Sequence, residues 1–147
     1  MAETEGGRAK KRILAVDDTA VTLSRISEVL QGEYEVITVN SGMRAMKYLQ
    51  TEKPDLILLD IRMNPKDGLE TLRDIRHMKD RTEIPVIMLT GAEDKKTVIE
   101  SARLGICDYI LKPFAGDDLL NRVHRVLAPD KKGEAPDVEK WKSLNQY

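Results

Sequence analysis

Short apolar runs recur along this chain, and most of them stop at a residue that carries chemistry. The run at 13–16 ends at Asp17 and Asp18, that at 56–59 at Asp60, that at 86–89 at Thr90, and that at 109–111 at Lys112. Unbroken runs of Ile, Val and Leu mark strands buried on both faces of a parallel sheet. The pattern predicts strands over 12–16, 35–39, 55–59, 85–89 and 107–111. Between them the period changes to that of a helix: Leu23, Ile26, Val29 and Leu30 make one stripe, and Leu119, Leu120, Val123 and Leu127 another. Similar stripes (Ala45, Met46, Leu49; Leu69, Leu72, Ile75; Val98, Ile99, Ala102) complete a prediction of helices over 20–31, 41–51, 67–79, 94–104 and 116–127. Ser41 and Asp67 stand where N-caps belong, and Gly105 where the fourth helix should close. Alternation of this kind is an α/β fold.

In an open parallel sheet the carboxyl ends of the strands line one edge, and ligands bind in the crevice there. Asp17, Asp18, Asp60, Thr90 and Lys112, distant in sequence, then meet in one pocket. Taken singly each is weak, since an Asp after a strand often only caps the next helix. Together, three carboxylates, a hydroxyl and an ammonium make a metal and phosphoryl site. Close carboxylates repel, and ionising all of them demands a cation. An oxygen-only set suits Mg²⁺, which keeps several waters and takes one or two carboxylates plus a phosphate oxygen.

Composition narrows the setting. A chain of 147 residues, 41% hydrophobic and 33% charged, reads as a single soluble domain. A net charge of −1 gives no basic face for nucleic acid. One cysteine, Cys107, excludes an intrachain disulfide, and no apolar run approaches a membrane span, so a cytoplasmic protein is expected. Residues 1–11 read as a flexible arm and 12–128 as the domain. Residues 129–147 read as a linker followed by a short amphipathic tail carrying Val138, Trp141 and Leu144. His77 and His124 read as solvated residues, Lys95, Lys96, Lys131 and Lys132 as solvated charge. Cys107 reads as a small core residue within the last strand, and methionines 43, 46, 63, 78 and 88 mostly as core filler.

The motifs V-D-D (16–18), L-L-D-I-R-M (58–63) with D-G (67–68), L-T-G-A (89–92) and G-I-C-D-Y-I-L-K-P-F (105–114) occur in this order, each at a strand end. Over residues 12–127 the chain resembles the receiver domain of two-component response regulators, the CheY-like family. That resemblance implies a flavodoxin-like (βα)5 doubly wound parallel sheet with strand order 2-1-3-4-5. It implies Asp60 as the nucleophile that takes a phosphoryl group from a sensor histidine kinase or a histidine phosphotransfer protein. Mg²⁺ would be ligated by Asp18, Asp60 and the Arg62 backbone carbonyl, and by Asp17 through water. Lys112, in a peptide to Pro113 that is commonly cis in the family, would neutralise charge on the phosphoryl group. Thr90 would bond one of its oxygens, and Tyr109 would turn inward as Thr90 moves. The expected product is a stand-alone receiver, monomer or weak dimer. It would act on a downstream protein through the face of helix 4, strand 5 and helix 5, with no nucleic-acid or membrane partner.

The loop after Asp60 departs from the family's M-P-x-M-D-G, reading Met63-Asn64-Pro65-Lys66-Asp67-Gly68. Proline has moved by one place and Lys replaces the second Met, while the distance from Asp60 to Gly68 is kept. Two residues beyond the acceptor and the threonine stand Arg62 and Ala92. Ala92 offers no hydrogen bond to orient water, and Arg62 can either lie over the phosphoryl group or extend into solvent. The first arrangement implies slow self-dephosphorylation. A haloacid-dehalogenase-like phosphohydrolase is the chief rival, but it needs an acid where Arg62 stands. A phosphorylation-independent adaptor is disfavoured by the intact acid, Thr and Lys set, and a flavodoxin-type carrier by the lack of a phosphate loop after strand 1.

Overall fold

The computed structural model describes residues 10–128. Most of the expected arm, the linker with Lys131 and Lys132, and the tail with Val138, Trp141 and Leu144 lie outside the described residues. Ten elements alternate: β1 (Arg12–Val16), α1 (Ala20–Leu30), β2 (Glu35–Val39), α2 (Gly42–Leu49), β3 (Leu56–Asp60), α3 (Gly68–Arg76), β4 (Val86–Thr90), α4 (Lys95–Arg103), β5 (Asp108–Leu111) and α5 (Gly116–Leu127). The strands form one parallel sheet in the order β2-β1-β3-β4-β5.

Successive residues of a strand point to opposite faces, so each apolar run serves two cores. Leu14 and Val16 of β1, Ile57 and Leu59 of β3, and Val86 and Met88 of β4 pack on one face with Ala45, Leu49, Leu72, Ile75 and Val98 from α2, α3 and α4. Ile13, Ala15, Leu56, Leu58, Ile87 and Leu89 pack on the other with Ile26 and Leu30 of α1 and Leu119 and Val123 of α5. Burying one such side chain is worth about 1.5–3 kcal/mol, and this two-sided demand explains why the runs lack polar interruptions.

Local chemistry sets the helix ends. Ser41 accepts from the Arg44 amide, and Asp67 forms a full capping box with Glu70. Gly105 follows α4 at φ 86°, a left-handed conformation that suits glycine. Several expectations shift. α3 ends at Arg76 rather than 79, and Asp80 then takes φ 65°, which Asp tolerates better than most residues. β4 begins at Val86, after Pro85, which has no N–H to give the ladder. Cys107 precedes β5 instead of lying within it, donating its amide to the Val86 carbonyl. Met43 is exposed and fills no core.

Two arginines tie loops to helices. Arg76 donates to the carbonyls of Ile84, Leu104 and Gly105, joining the end of α3 to the entry of β4 and the exit of α4. Arg81 similarly donates to the carbonyls of Leu49, the last residue of α2, and of Glu52 just beyond it. Gly68 stands for a different reason. A Cβ there would lie 2.1 Å from the Asp60 carbonyl oxygen and 2.8 Å from Ile61 Cα, so the head of α3 can press on the end of β3 only without a side chain.

Candidate phosphoryl and metal site

Parallel register brings the strand ends level. Asp60 pairs with Leu89, and Thr90, one residue on, pairs with Leu111, immediately before Lys112. Asp17 follows β1 and donates its amide to Val39. All five candidate residues therefore reach one edge. Asp17, Asp60 and Thr90 are at most 3% exposed, while Asp18 faces solvent.

Lys112 crosses the site from β5. Its ammonium lies 2.7 Å from Asp17 Oδ2 and 3.1 Å from Asp60 Oδ1. The acids are thus partly compensated before any metal arrives, by the ammonium that the sequence brought to the same edge without showing which acids it pairs with. Asp17 Oδ1 also accepts from the Thr19 amide and hydroxyl. Thr19, not an aspartate, holds the N-cap position of α1, and no side chain caps that helix there. The capping explanation for the Asp pair falls away. The Lys112–Pro113 peptide is cis, as is Asn64–Pro65.

Burial pushes the Asp60 carboxyl up, and the Asp17 charge pushes it further, to about 6 against the pull of Lys112 and the Arg62 amide. For Lys112, burial works against the ammonium, but Asp17 and Asp60 hold it above its ordinary value. Asp17, Asp18 and Asp60 each offer a carboxylate oxygen, all within 4.8 Å of one another. Three carboxylates facing one ammonium leave a deficit of positive charge that a small oxygen-seeking divalent cation fits.

Thr90 donates its hydroxyl to the Gly91 carbonyl at 3.0 Å. Tyr109 is half-buried against the core beneath α4. Ala92 is exposed. Arg62 neither covers the acids nor hangs free: its Nε donates to Asp94 Oδ1 at 2.9 Å and its other arm lies 3.6 Å from Glu93. Asp94 was absent from the sequence reading. The signal available was that β3 and β4 are neighbours, so the residues just past their ends share one rim. His124 is not merely solvated, since its Nε2 lies 2.7 Å from Glu33 Oε1. His77 Nδ1 meets the Arg73 carbonyl at the end of α3.

Residues 13–124 match the response regulator receiver domain. The chain belongs to that family. The receiver is 38% identical over 119 residues to the alkaline phosphatase synthesis transcriptional regulatory protein PhoP of Bacillus subtilis, covering 80% of this chain and 48% of that protein. It is 36% identical over 118 residues to the CAI-1 autoinducer sensor kinase/phosphatase CqsS of Vibrio cholerae, covering 79% of this chain and 17% of that one. The chain thus spans about half, or less, of the length of these curated relatives. The chemotaxis response regulator CheY4 of Vibrio cholerae superposes with a TM-score of 0.76 at 30% identity, covering 81% of this chain and all of that one. Receiver domains are signalling domains rather than enzymes in the usual sense, they partner with histidine kinases, and they generally use Mg²⁺. Among the described residues no helix is long and apolar enough to cross a membrane.

Proposed function

We propose that Asp60 accepts a phosphoryl group from the phosphohistidine of a sensor kinase or phosphotransfer protein. An Asp60 carboxylate oxygen would attack phosphorus as the P–N bond breaks, and the imidazole would leave with the electron pair. The observation that carries this reading is the Lys112 ammonium bridging Asp17 and Asp60 at 2.7 and 3.1 Å, because it lies where charge develops on the transferred group. Mg²⁺ held by Asp17, Asp18, Asp60 and the Arg62 carbonyl would supply further neutralisation of that charge. Thr90 can exchange its bond to the Gly91 carbonyl for one to a phosphoryl oxygen, and Tyr109, one strand away, would follow. The altered surface of α4, β5 and α5 would then meet a downstream protein in the cytoplasm, from a receiver that is monomeric or weakly dimeric. A near-neutral net charge of −1 favours a protein over nucleic acid as that target. With Arg62 where a phosphohydrolase needs its second acid, turnover of a phosphoester is not expected.

Acetyl phosphate with Mg²⁺ should label one residue. Peptide mapping of the hydroxylamine-sensitive adduct is expected to place it on Asp60, and an adduct elsewhere refutes the assignment. A second outcome follows from the carboxyl held at about 6, because metal binding must displace a proton below that value. Mg²⁺ affinity, read from the metal-induced rise in melting temperature, should weaken by about tenfold per pH unit below pH 6 and level off above it. A flat profile would place the metal away from Asp60.

A further inference from the structure

Arg62 and Asp94 stand 32 residues apart, one just past β3 and the other at the head of α4, yet their side chains meet at 2.9 Å. Asp94 occupies the N-cap position of α4 but its side chain does not cap the helix, and the residue is only 7% exposed. One carboxylate oxygen takes Arg62, and the other accepts the Gly91 amide at 3.1 Å. Gly91 follows Thr90 and accepts its hydroxyl. At the other end, the Arg62 amide donates to Asp60 Oδ1 at 3.3 Å. A continuous set of hydrogen bonds therefore runs from the acceptor carboxylate, through Arg62 and Asp94, to the loop that carries Thr90.

We propose that Asp94 is a positioning residue for the phosphoryl chemistry, holding the Arg62 guanidinium aside and so setting how long a phosphoryl group on Asp60 survives. The proposal rests on Asp60 being the acceptor. Unmodified Asp60 carries at most one negative charge, already shared with Lys112. A phosphoryl group in its place carries about two. The guanidinium lies within electrostatic range of Asp60 as well as of Asp94 and Glu93. Asp94 and the phosphoryl group then compete for one cation. Loss of the phosphoryl group requires water to attack phosphorus in line with the acyl oxygen. The new P–O bond forms as the acyl O–P bond breaks, the carboxylate is restored, and the water proton passes to solvent with inorganic phosphate. A guanidinium drawn over the group occupies that approach, and Asp94 draws it off. With Ala92 offering nothing to hold a water, the position of Arg62 becomes the variable that matters.

The test is the decay of the aspartyl phosphate, followed by intact mass after removal of acetyl phosphate, in excess Mg²⁺. The proteins are wild type, Asp94→Asn, Asp94→Ala, Arg62→Ala and the Asp94→Ala/Arg62→Ala double variant. Asp94→Asn keeps an oxygen for the Gly91 amide while losing the charge that holds Arg62, and both Asp94 variants are expected to lengthen the lifetime by about threefold or more. In the Arg62→Ala background the Asp94 change should have no effect. A lifetime unchanged or shortened in both Asp94 variants overturns the proposal, and so does equal lengthening with Arg62 absent, which would mark Asp94 as merely structural. Failure of the wild type to take up a phosphoryl group on Asp60 would instead refute the acceptor assignment on which the proposal stands.

Discussion

Asp60→Asn is expected to abolish phosphorylation while making the metal-free protein more stable at neutral pH. Asp60 carries a proton more tightly in the folded chain, where its carboxyl sits at about 6, than in the unfolded one, near 3.8. Its favourable contribution is therefore complete below about pH 4 and is lost as pH rises through about 6. At neutral pH the folded wild type holds a desolvated carboxylate beside the Asp17 charge. Asparagine fills the same space without charge and leaves Lys112 to Asp17. The advantage of the variant should open between those two pH values and reach at most about 3 kcal/mol above them, or several degrees in melting temperature. Saturating Mg²⁺ should reverse the order, since metal at about a thousandfold over its Kd adds roughly 4.1 kcal/mol to the protein that retains its ligand. Melting curves with chelator and with Mg²⁺ check both halves. A variant that is less stable than wild type in chelator at neutral pH would mean that the Lys112 pairing outweighs burial.

Gly68→Ala is expected to be the most damaging single-methyl change in the domain. The added carbon would meet the Asp60 carbonyl oxygen at 2.1 Å, the carbonyl carbon at 2.9 Å and Ile61 Cα at 2.8 Å. These are backbone atoms at the end of a central strand, so no side chain can rotate away. Relief requires moving α3 off β3, which breaks the bond from the Gly68 amide to the Ile61 carbonyl and strains the Asp67 capping box. Overpacking that cannot relax by rotamer change costs about 3 kcal/mol or more. Asp60 would be displaced with the strand end, so phosphorylation by acetyl phosphate should slow even in the folded fraction. Chemical denaturation and labelling kinetics measure the two effects separately. Wild-type values for both would show that the loop has room to spare.

The strands β1, β3 and β4 were legible to within a residue because burial on both faces leaves a sequence little freedom, while the half-exposed edge strand β2 and the helix α5 showed in their apolar pattern alone. The site was legible for a related reason. A parallel sheet converts the ends of such runs into one edge, so reading where Leu59 and Leu89 stop also reads where Asp60 and Thr90 meet. What the sequence concealed lies in loops. Nothing in the residues near position 80 announces that α3 stops at Arg76 or that Asp80 turns left-handed in the loop beyond it. The pairing of Arg62 with Asp94 depends on side-chain direction across two loops, which no period encodes. The sharing of Lys112 between Asp17 and Asp60 is equally a matter of reach. Charges of opposite sign were visible, but their partners were not.

The clamp made by Arg76 has a mechanical consequence for α4. Its three carbonyl partners include Leu104 and Gly105, so the C-terminal end of that helix is riveted to α3 and to the start of β4. The N-terminal end has no side-chain cap and is joined to the phosphoryl edge through Asp94. One end is a hinge pin and the other a handle. A displacement begun at Asp94 is therefore expected to emerge as a swing of the helix axis about Arg76 that tilts its exposed flank, not as a slide.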